Sequence, residues 1–420
     1  MPAMADISAS GAPAAPQAPL APPRFLDRRT PPHIATLILI AGLPALSMNV
    51  FLPSLPLMAE AFGAPYRVMQ LSVSLYLAMT AILQVFIGPI SDRYGRRPVV
   101  LAAFAIFLVA TAGCLMARSV EAFLAFRMLQ ATAATGLVLS RAIVRDMVPQ
   151  AQAASMIGYV TMGMSVVPML GPALGGWLDA LYGWQASFWL LLGLGALVLA
   201  LAWRDLGETA RTTSASFAEQ FAQYPELLRA PRFWGYVGAA TFASGAFFAY
   251  LGGAPYVGSE IYGLDPARLG VYFSAPALGY FLGNWISGRF SVAVGIDRMI
   301  LSGGVLTTGG LGASLALSLA GLSSAETFFG FMAFVGIGNG MVMPNANAGL
   351  LSVRPRLAGT ASGLGGAFMI AGGAGLAAYA GALLTPGAGS APLLWLMLAS
   401  ALGSVLAIGL VMRRNAALAR

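Results

Sequence analysis

Residues 71–116 read LSVSLYLAMTAILQVFIGPISDRYGRRPVVLAAFAIFLVATAGCLM, two long apolar runs separated by one short polar loop. A run of about 20 apolar residues is long enough to cross the hydrocarbon core of a bilayer as a helix. The pattern therefore predicts two membrane-spanning helices, near 68–90 and 97–117. The loop between them carries Asp92 and three arginines, so we expect it to lie at a membrane surface.

The composition of the whole chain indicates a membrane protein. Of its 420 residues, 58% are hydrophobic and only 9% are charged, whereas a soluble domain carries roughly a quarter charged residues. So few charges cannot cover the surface of a water-soluble protein of this size, and lipid must be the solvent for most of the chain. The formal charge of +8 comes from basic residues dispersed along the sequence, which argues against a nucleic-acid site.

Apolar runs of the same length continue on both sides of residues 68–117 and predict an all-α membrane protein with about twelve spans. Spans 1 to 6 are expected near 34–58, 68–90, 97–117, 121–144, 153–178 and 184–203. Spans 7 to 12 are expected near 233–257, 269–288, 298–320, 326–349, 358–384 and 390–412.

This spacing also predicts the domain organisation. We expect a six-helix bundle at 34–203, a cytoplasmic linker at 204–232 and a second six-helix bundle at 233–412. A disordered Ala/Pro-rich tail at 1–33 and a short tail at 413–420 flank them. A cleaved signal peptide is the alternative for the first apolar run, but the apolar core of a signal peptide is only about 7–15 residues long.

The arginines test this topology, because loops on the cytoplasmic side of a membrane carry an excess of basic residues. All 23 basic residues are arginine. With the N-terminus inside, 18 of them fall in tails or inward loops, and only Arg67, Arg118 and Arg268 fall outside. We therefore expect a multi-pass membrane protein with both termini in the cytoplasm.

The inventory of reactive side chains excludes several function classes. The chain has one cysteine, Cys114, one histidine, His33, and no lysine. It therefore lacks the P-loop of an ATP-driven pump, a metal-ligand set and the nucleophile–base pair of a membrane-embedded enzyme. No motif of a channel selectivity filter is apparent. A transporter that is not an enzyme and needs no cofactor or metal is the class that remains.

The loop after span 2, Gly88–Pro98, is the most specific motif in the chain. Its glycines allow a tight turn, and Asp92 gives the arginines an acidic partner, whereas an ordinary cytoplasmic loop needs neither. The loop closely resembles the signature loop of the major facilitator superfamily, which acts as a latch between the two halves of these transporters. The resemblance implies a fold of two pseudo-symmetric six-helix bundles. It assigns the latch to Gly88, Asp92, Arg93, Gly95, Arg96 and Arg97.

A weaker second copy of this motif is visible at the end of span 8. Gly283-Asn-Trp-Ile-Ser-Gly-Arg289 matches Gly88-Pro-Ile-Ser-Asp-Arg93 in part, but it lacks the aspartate. Repeated halves are a common plan of secondary transporters.

Span 4 carries Arg127 and Gln130, with Arg127 about seven residues inside its outer end. A charged side chain at the membrane centre costs at least about 2.5–3.5 kcal/mol, so Arg127 faces a partner or a watery cavity, or else it snorkels to the outer surface. The segment resembles the superfamily's span-4 motif, in which a buried arginine serves proton and substrate coupling. Arg141, Arg145 and Asp146 follow near the inner end, and an interfacial ion pair is the simplest interpretation of these three.

Span 5 carries Gly163 and the run Gly171-Pro172-Ala-Leu-Gly175-Gly176. Glycines four residues apart make a flat face on which another helix packs closely, and Pro172 kinks the helix. A generic packing face is one interpretation. The segment also resembles the antiporter motif of the superfamily, which favours export over uptake.

Other segments narrow the resemblance. Leu55-Pro56, Leu71–Tyr76, Gln84, Arg141–Asp146 and Pro344-Asn345 are similar to the bicyclomycin- and chloramphenicol-resistance (Bcr/CflA) type of drug:proton antiporter. The resemblance implies a monomeric transporter that exports small amphipathic drugs in exchange for protons. The alternative is an exporter or facilitator of one specific metabolite.

One departure from these relatives bears on the coupling. They usually carry an acidic residue in span 1, where this sequence has Asn49, and no Asp or Glu lies deep in any predicted span. The candidate coupling residues are therefore Asn49, Tyr76, Arg127 and Gln130. The other candidates for the cavity lining are polar or aromatic side chains within spans, namely Phe51, Gln84, Phe247, Tyr250, Tyr280 and Asn345. Such a cavity suits amphipathic, neutral or anionic molecules.

Overall fold

The structure, a computed structural model, describes residues 24–148, 156, 160, 167–210, 224–354, 357–385 and 387–418. Every regular element in these residues is a helix. Ten helical segments among them are long and apolar enough to span a membrane. The all-helical membrane architecture predicted from the sequence is therefore confirmed.

The helices of the first half follow the predicted spans closely. Span 1 comprises Ile34–Asn49, a 3-10 turn Leu52–Ser54 and Leu55–Ala61; span 2 comprises Tyr66–Met69 and Leu71–Tyr94; and span 3 is Arg96–Met116. Span 4 comprises Val120–Gln130, a 3-10 turn Ala131–Ala133 and Ala134–Met147; the described part of span 5 is Val167–Tyr182; and span 6 is Gln185–Asp205.

The second half begins after a short helix in the linker, Tyr224–Leu228. Span 7 comprises Pro231–Tyr256 and a π-helical turn Val257–Ile261, span 8 comprises Pro266–Tyr272 and Ser274–Val294, and span 9 is Ile296–Leu319. Span 10 is Ala325–Val353, span 11 is Ala358–Leu383 and span 12 is Ala391–Leu418.

Spans 5 and 8 are the two predicted spans that are not among the ten apolar segments. The beginning of span 5, including Gly163, lies outside the described residues. Span 8 is helical as predicted, and the 21 residues of Ser274–Val294 cover about 31 Å at 1.5 Å per residue. Asn284 and Arg289 lower the hydropathy of this helix, which is not among the ten apolar segments.

The spans form two bundles that are related by a repeat. In the first bundle, span 1 packs against spans 4 and 6, and span 3 packs against span 6. In the second, span 7 packs against spans 11 and 12, and span 9 packs against spans 10 and 12. Across the two halves, span 2 contacts span 11 and span 5 contacts span 8. These two contacts are equivalent in the repeat, because span 2 corresponds to span 8 and span 5 corresponds to span 11.

The repeat has a different register from the one expected from the sequence. Spans 2 and 8 each end at a glycine with a positive φ, Gly95 (φ 93°, ψ 152°) and Gly295 (φ 89°, ψ 148°). The counterpart of the signature loop is therefore the segment that ends at Gly295, and the alignment of Gly283–Arg289 with the signature loop is wrong. The turn requires a glycine with a positive φ. The position of this glycine therefore defines how the two segments align, although their side chains differ.

Part of the predicted disordered tail is ordered. Asp205, at the inner end of span 6, accepts hydrogen bonds from the backbone N–H groups of Leu26 (2.6 Å) and His33 (2.9 Å). A buried carboxylate with two backbone donors fixes the approach to span 1. The prediction of disorder is therefore wrong for residues 24–33, and residues 1–23 lie outside the described residues.

Contacts between the halves close their interface on the side opposite the two chain termini, which we call the outer side. The Tyr66 hydroxyl donates to the Gly252 carbonyl (2.9 Å), and Gln70 Nε2 donates to the Ala377 carbonyl (2.7 Å). Beside them, Val167–Tyr182 of span 5 packs on Pro266–Tyr272 of span 8. We call these contacts together the outer seal.

Candidate functional site

Arg127 is the centre of the candidate site. Ser119 caps the first helix of span 4 by accepting a hydrogen bond from the N–H of Ala122 (3.3 Å). Arg127 lies about 10 Å further along this helix axis at 1.5 Å per residue, and its side chain is fully buried. The helix changes to a 3-10 turn after Gln130. The alternative that Arg127 snorkels to the outer surface is therefore wrong for this structure.

Three hydrogen bonds hold the guanidinium. One nitrogen donates to Ser47 Oγ (3.0 Å) and to Gln130 Oε1 (2.6 Å), and the other terminal nitrogen donates to the Ser47 carbonyl (2.7 Å). Gln130 is itself oriented by the bond from its Nε2 to Thr111 Oγ1 (2.7 Å). The site thus joins spans 1, 3 and 4. Ser47 and Thr111 are members of it that the sequence did not identify.

Two aromatic rings flank the same guanidinium. Its central carbon lies 4.4 Å from the centroid of the Phe51 ring and 4.3 Å from that of the Tyr76 ring. Both distances are within the roughly 6 Å at which a cation is attracted by the face of a ring. The Tyr76 hydroxyl is fixed by donation to the Pro44 carbonyl (3.3 Å). We call Arg127, Ser47, Gln130, Phe51 and Tyr76 together the arginine cage.

The partners of Arg127 in the cage are all neutral. Its hydrogen bonds go to a hydroxyl, a carbonyl and an amide oxygen, and its Nε is buried with no hydrogen-bond partner among the described residues. A buried cation surrounded by neutral groups retains an uncompensated charge, which is costly in a membrane. The cage therefore attracts negative charge, and two of the five guanidinium N–H groups have no acceptor among the described residues.

Asn49 is close to the cage along the chain but faces another helix. Its side chain is buried, and Nδ2 donates to the Ala45 carbonyl (2.7 Å). Its Cβ lies 3.6 Å from the position that a Cβ would occupy on Gly171 of span 5. The structure thus brings together four of the predicted residues, Arg127, Gln130, Tyr76 and Phe51, and places Asn49 at the contact of spans 1 and 5.

The signature loop is held by ion pairs on the inner side. Arg96 bonds to Asp92 (2.6 Å), to Asp146 at the end of span 4 (3.1 Å) and to Ser91. Arg96 is mostly buried, so these pairs are less screened than exposed ones. The expectation that Asp92 gives the arginines an acidic partner is confirmed for Arg96. The second carboxylate, Asp146, was not expected there.

The linker also binds this loop. Glu208 accepts hydrogen bonds from the backbone N–H groups of Arg96 (2.8 Å) and Arg97 (3.3 Å), where it stabilises the N-terminus of span 3. The Arg97 side chain donates to the carbonyls of Leu206 (2.9 Å) and Trp203 (3.1 Å) at the end of span 6. Arg93 lies over the ring of Tyr94 (5.5 Å). A Cβ added at Gly88 would meet no atom within 4 Å.

Arg141 does not take part in an interfacial ion pair, because Asp146 pairs with Arg96 instead. Arg141 is exposed to solvent. Tyr280 of span 8, in the other half, lies within electrostatic range of Arg141.

The glycines of span 5 serve different contacts. A Cβ at Gly175 would overlap the Val50 carbonyl in the same half, whereas a Cβ at Gly176 would overlap the Pro266 carbonyl in the other half. Pro172 faces span 8 as well, because a Cβ at Gly270 would overlap the Pro172 carbonyl. The predicted packing face is therefore confirmed for the described glycines, and one edge of it forms the outer seal.

The remaining predicted lining residues lie apart from the cage. Gln84 Oε1 lies 3.0 Å from the position of a Cβ on Gly366 of span 11, at the interface of the halves. Tyr250 is buried, and its hydroxyl has no hydrogen-bond partner among the described residues. Its ring lies 6.4 Å from that of Phe247. Asn345 is buried and donates to Ser287 Oγ (2.8 Å).

The chain matches the Major Facilitator Superfamily over residues 37–378. It is 31% identical over 336 residues to a chloramphenicol resistance protein of Pseudomonas aeruginosa, a match that covers 78% of each chain. It is 27% identical to a bicyclomycin resistance protein homolog of Haemophilus influenzae, which covers 91% of this chain and 96% of that one. The similarity to the bicyclomycin- and chloramphenicol-resistance type is thereby confirmed.

The fold also matches a solved structure. A bacterial homolog to the human lysosomal transporter Spinster, in an inward-facing and occupied conformation, superposes with a TM-score of 0.68 at 18% identity, over 90% of this chain and 94% of that chain. At this identity the match concerns the fold alone, and it agrees with the two bundles described above. Together with the match over residues 37–378, it leads to one conclusion: this chain belongs to the major facilitator superfamily.

Proposed function

We propose that this protein exports small amphipathic drugs or antibiotics across the bacterial inner membrane by alternating access, in exchange for protons. The observation that carries the proposal is the similarity to chloramphenicol and bicyclomycin resistance proteins along 78% and 91% of the chain. The arginine cage supports it, because a buried cation with a free donor, between two aromatic rings, suits a molecule with apolar and polar parts.

The signature loop is proposed as the latch of this cycle. In the present structure the outer seal is closed, and Arg96 is held by Asp92 and Asp146 on the inner side. Alternating access requires the halves to part on one side while they close on the other. The loop follows span 2 on the inner side, and span 2 contacts span 11 across the halves. A change in the ion pairs of the loop would therefore shift the equilibrium between the open and closed forms of the inner side.

The remaining assignments are part of the proposal. We place both termini, the linker 204–232 and the tails in the cytoplasm, with the bundles 34–203 and 233–412 in the lipid bilayer, and we propose that the protein works as a monomer. Its partners are then the small-molecule substrate, protons and lipid. We assign it no enzymatic activity, cofactor or metal.

A second candidate is export or facilitated passage of a specific metabolite with weak proton coupling. The observation that favours it is Asn49, a neutral residue where relatives carry an acid, in a chain without a carboxylate deep in any predicted span. Counterflow of labelled metabolites in proteoliposomes would distinguish this candidate from drug export.

The test of the proposed function is the accumulation of chloramphenicol and of bicyclomycin in cells that lack their own drug exporters. Cells that express the protein should accumulate less of at least one compound than cells with an empty vector, and a protonophore should abolish the difference. Equal accumulation of both compounds at verified expression would contradict drug export.

Asp92→Asn should greatly reduce transport while the protein still inserts into the membrane. Asn is nearly isosteric with Asp but cannot neutralise Arg96, so the mostly buried guanidinium would keep Asp146 as its only carboxylate among the pairs seen here. Losing one charge-assisted bond of about 1.5–3 kcal/mol should slow the conformational cycle by roughly tenfold or more. The measurement is drug accumulation in cells at matched expression, with the exposed Asp265→Asn as the control variant. Unchanged efflux by the Asp92→Asn variant would contradict the assignment of the loop as the latch.

Asn49→Asp should make transport more dependent on pH. The Asn49 amide donates to the Ala45 carbonyl at 2.7 Å, and a carboxylate oxygen there would face another acceptor unless it carried a proton. The new side chain would therefore bind and release a proton as its surroundings change. Transport in proteoliposomes with an imposed pH gradient, on wild type and variant, is the check. If wild type responds fully to the gradient and the variant behaves identically, Asn49 does not stand at the proton site of the relatives.

A further inference from the structure

Asp179 is a buried carboxyl that neither the arginine cage nor the latch uses. It lies in the last turn of span 5, and its side chain is 6% exposed. Ser54 of span 1 lies beside it, outside the geometry of a formed hydrogen bond. Asp179 Oδ2 and Ser54 Oγ are both buried without a hydrogen-bond partner among the described residues.

A helix of the other half of the protein packs on both elements that carry this pair. Pro266–Tyr272 of span 8 packs on Val167–Tyr182, which carries Asp179, and also on Leu52–Ser54, which carries Ser54. Gly176, one turn before Asp179 on the same helix, lies against the Pro266 backbone. Asp179 is therefore buried at the outer seal, and separation of spans 5 and 8 would expose it to the outer side.

The charged groups on the surrounding elements do not compensate a negative charge at Asp179. On the covering helix, Arg268 pairs with Asp265, and both are largely exposed. The other charges on packed elements are at the inner ends of their spans, namely Arg204 and Asp205 of span 6 and Arg289 of span 8, while Glu60 at the outer end of span 1 is exposed. None of the ion pairs among the described residues involves Asp179.

An ionised carboxylate that is buried without a cation is strongly destabilised, because it has lost its hydration and gained no partner. Protonation removes the charge, and a neutral carboxyl is tolerated in the same place. A group that binds a proton more tightly in one conformation than in another links proton binding to that conformational change. The closed outer seal is the conformation that buries Asp179.

We propose that Asp179 is a proton-binding site of the transport cycle, protonated while the outer seal is closed and deprotonated when the seal opens. As spans 5 and 8 approach, the carboxylate takes one proton from the outer solution and forms an O–H bond, and when the halves part on the outer side this bond breaks and the proton returns to the outer solution. A lower pH on the outer side therefore favours the conformation in which the outer seal is closed. This inference rests on the alternating access of the proposed function, and it links closure of the outer seal to the outer pH without assigning the residue that carries protons across the membrane.

Infrared spectroscopy of the full-length protein tests the protonation directly. Purified wild type at neutral pH should show the C=O band of a protonated carboxylic acid, and the band should disappear in Asp179→Asn. Asp265→Asn is the matched control, because it removes an exposed carboxylate at the same edge while Asn still caps the helix, and it should keep the band. A wild-type spectrum without this band, or a band that persists in Asp179→Asn, would overturn the proposal.

Distances between spin labels test the linkage to the seal. Labels at Met116→Cys and Leu322→Cys, exposed positions at the outer ends of spans 3 and 9, should move apart as the pH rises from about 5 to about 9. Asp179→Asn, which mimics the protonated acid, should stay closed throughout. A wild-type distance that does not change with pH, or a variant that responds as wild type does, would refute the linkage.

Neither measurement uses a transported substrate. A protein that passes both tests but does not export chloramphenicol or bicyclomycin would keep the proton site and lose only the drug assignment. A protein that exports either drug but fails both tests would keep the function and lose the role of Asp179.

Discussion

Arg127→Ala should abolish transport while the protein remains folded in the membrane. The substitution removes three hydrogen bonds, to Ser47 Oγ, to the Ser47 carbonyl and to Gln130, and it removes the cation between the rings of Phe51 and Tyr76. A bond to a charged group contributes about 1.5–3 kcal/mol, so the loss of one such contact to a substrate alone corresponds to roughly 10- to 150-fold.

Arg127→Lys should restore little of this activity. Lysine keeps the charge, but it has no planar group to lie between two rings and no fork of donors to reach Ser47 and Gln130 together. We expect transport of the lysine variant to stay below about a tenth of wild type. A functional lysine variant would mean that only the charge matters.

The measurements are substrate binding to the purified protein and transport in proteoliposomes, with thermal unfolding as the check of folding. Arg118→Ala is the matched control, since Arg118 is an exposed arginine just before span 4, and it should leave both quantities unchanged. Wild-type affinity and turnover in Arg127→Ala would show that the arginine is structural and takes no part in transport.

Most of the fold could be predicted from the sequence because the bilayer imposes simple rules. An apolar run must be long enough to cross it, basic loops stay on one side, and every span must be helical. The twelve spans predicted by these rules have ends within six residues of the observed helix ends where the structure describes them. They failed for residues 24–33, because the order of that segment depends on one carboxylate, Asp205, that is distant in sequence.

The candidate site was less predictable, because it depends on which helix faces which. Arg127 stands out in any sequence as a charge inside an apolar run, and Gln130 follows it by one turn. Ser47 and Thr111 carry no such signal, since serine and threonine occur in many membrane helices. The ion pair of Arg96 with Asp146 joins residues 50 positions apart, and only the packing of spans 3 and 4 brings them together.

The environment of Asp179 could not be predicted from the sequence either. In the sequence it is an acid at the end of a span, a position where a solvated carboxylate is ordinary. Pro266–Tyr272, a helix of the other half, packs on the helix that carries it, and no pattern within span 5 could indicate that contact. A residue that is packed between the two halves changes its environment when the halves move during transport. The hydrophobic pattern of a single span cannot reveal such a residue.

Gly176→Ala should prevent closure of the outer seal and thereby stop transport. A Cβ at this position would overlap the Pro266 carbonyl and approach the Ala267 Cα to 3.3 Å. These are backbone atoms that cannot rotate away, so spans 5 and 8 would have to separate. Overpacking of this kind costs typically about 1–3 kcal/mol, and this cost falls only on the conformation in which the seal is closed.

The neighbouring glycine provides the contrast that makes this prediction specific. A Cβ at Gly175 would overlap the Val50 carbonyl within the same half, so Gly175→Ala should lower thermal stability in every conformation. Gly193→Ala should change nothing, because a Cβ there would have no atom within 4 Å. The readouts are transport, thermal unfolding and the distance between labels at Met116→Cys and Leu322→Cys.

Gly176→Ala should show near-normal stability, a long label distance at every pH and at least a tenfold loss of transport, the factor that corresponds to about 1.4 kcal/mol. Because the seal would stay open, Asp179 would remain exposed and the protonated-acid band should weaken in the same variant. A variant with wild-type transport and a closed seal would mean that span 5 moves past Pro266 without this contact. The flat glycine face would then serve packing within the first half only.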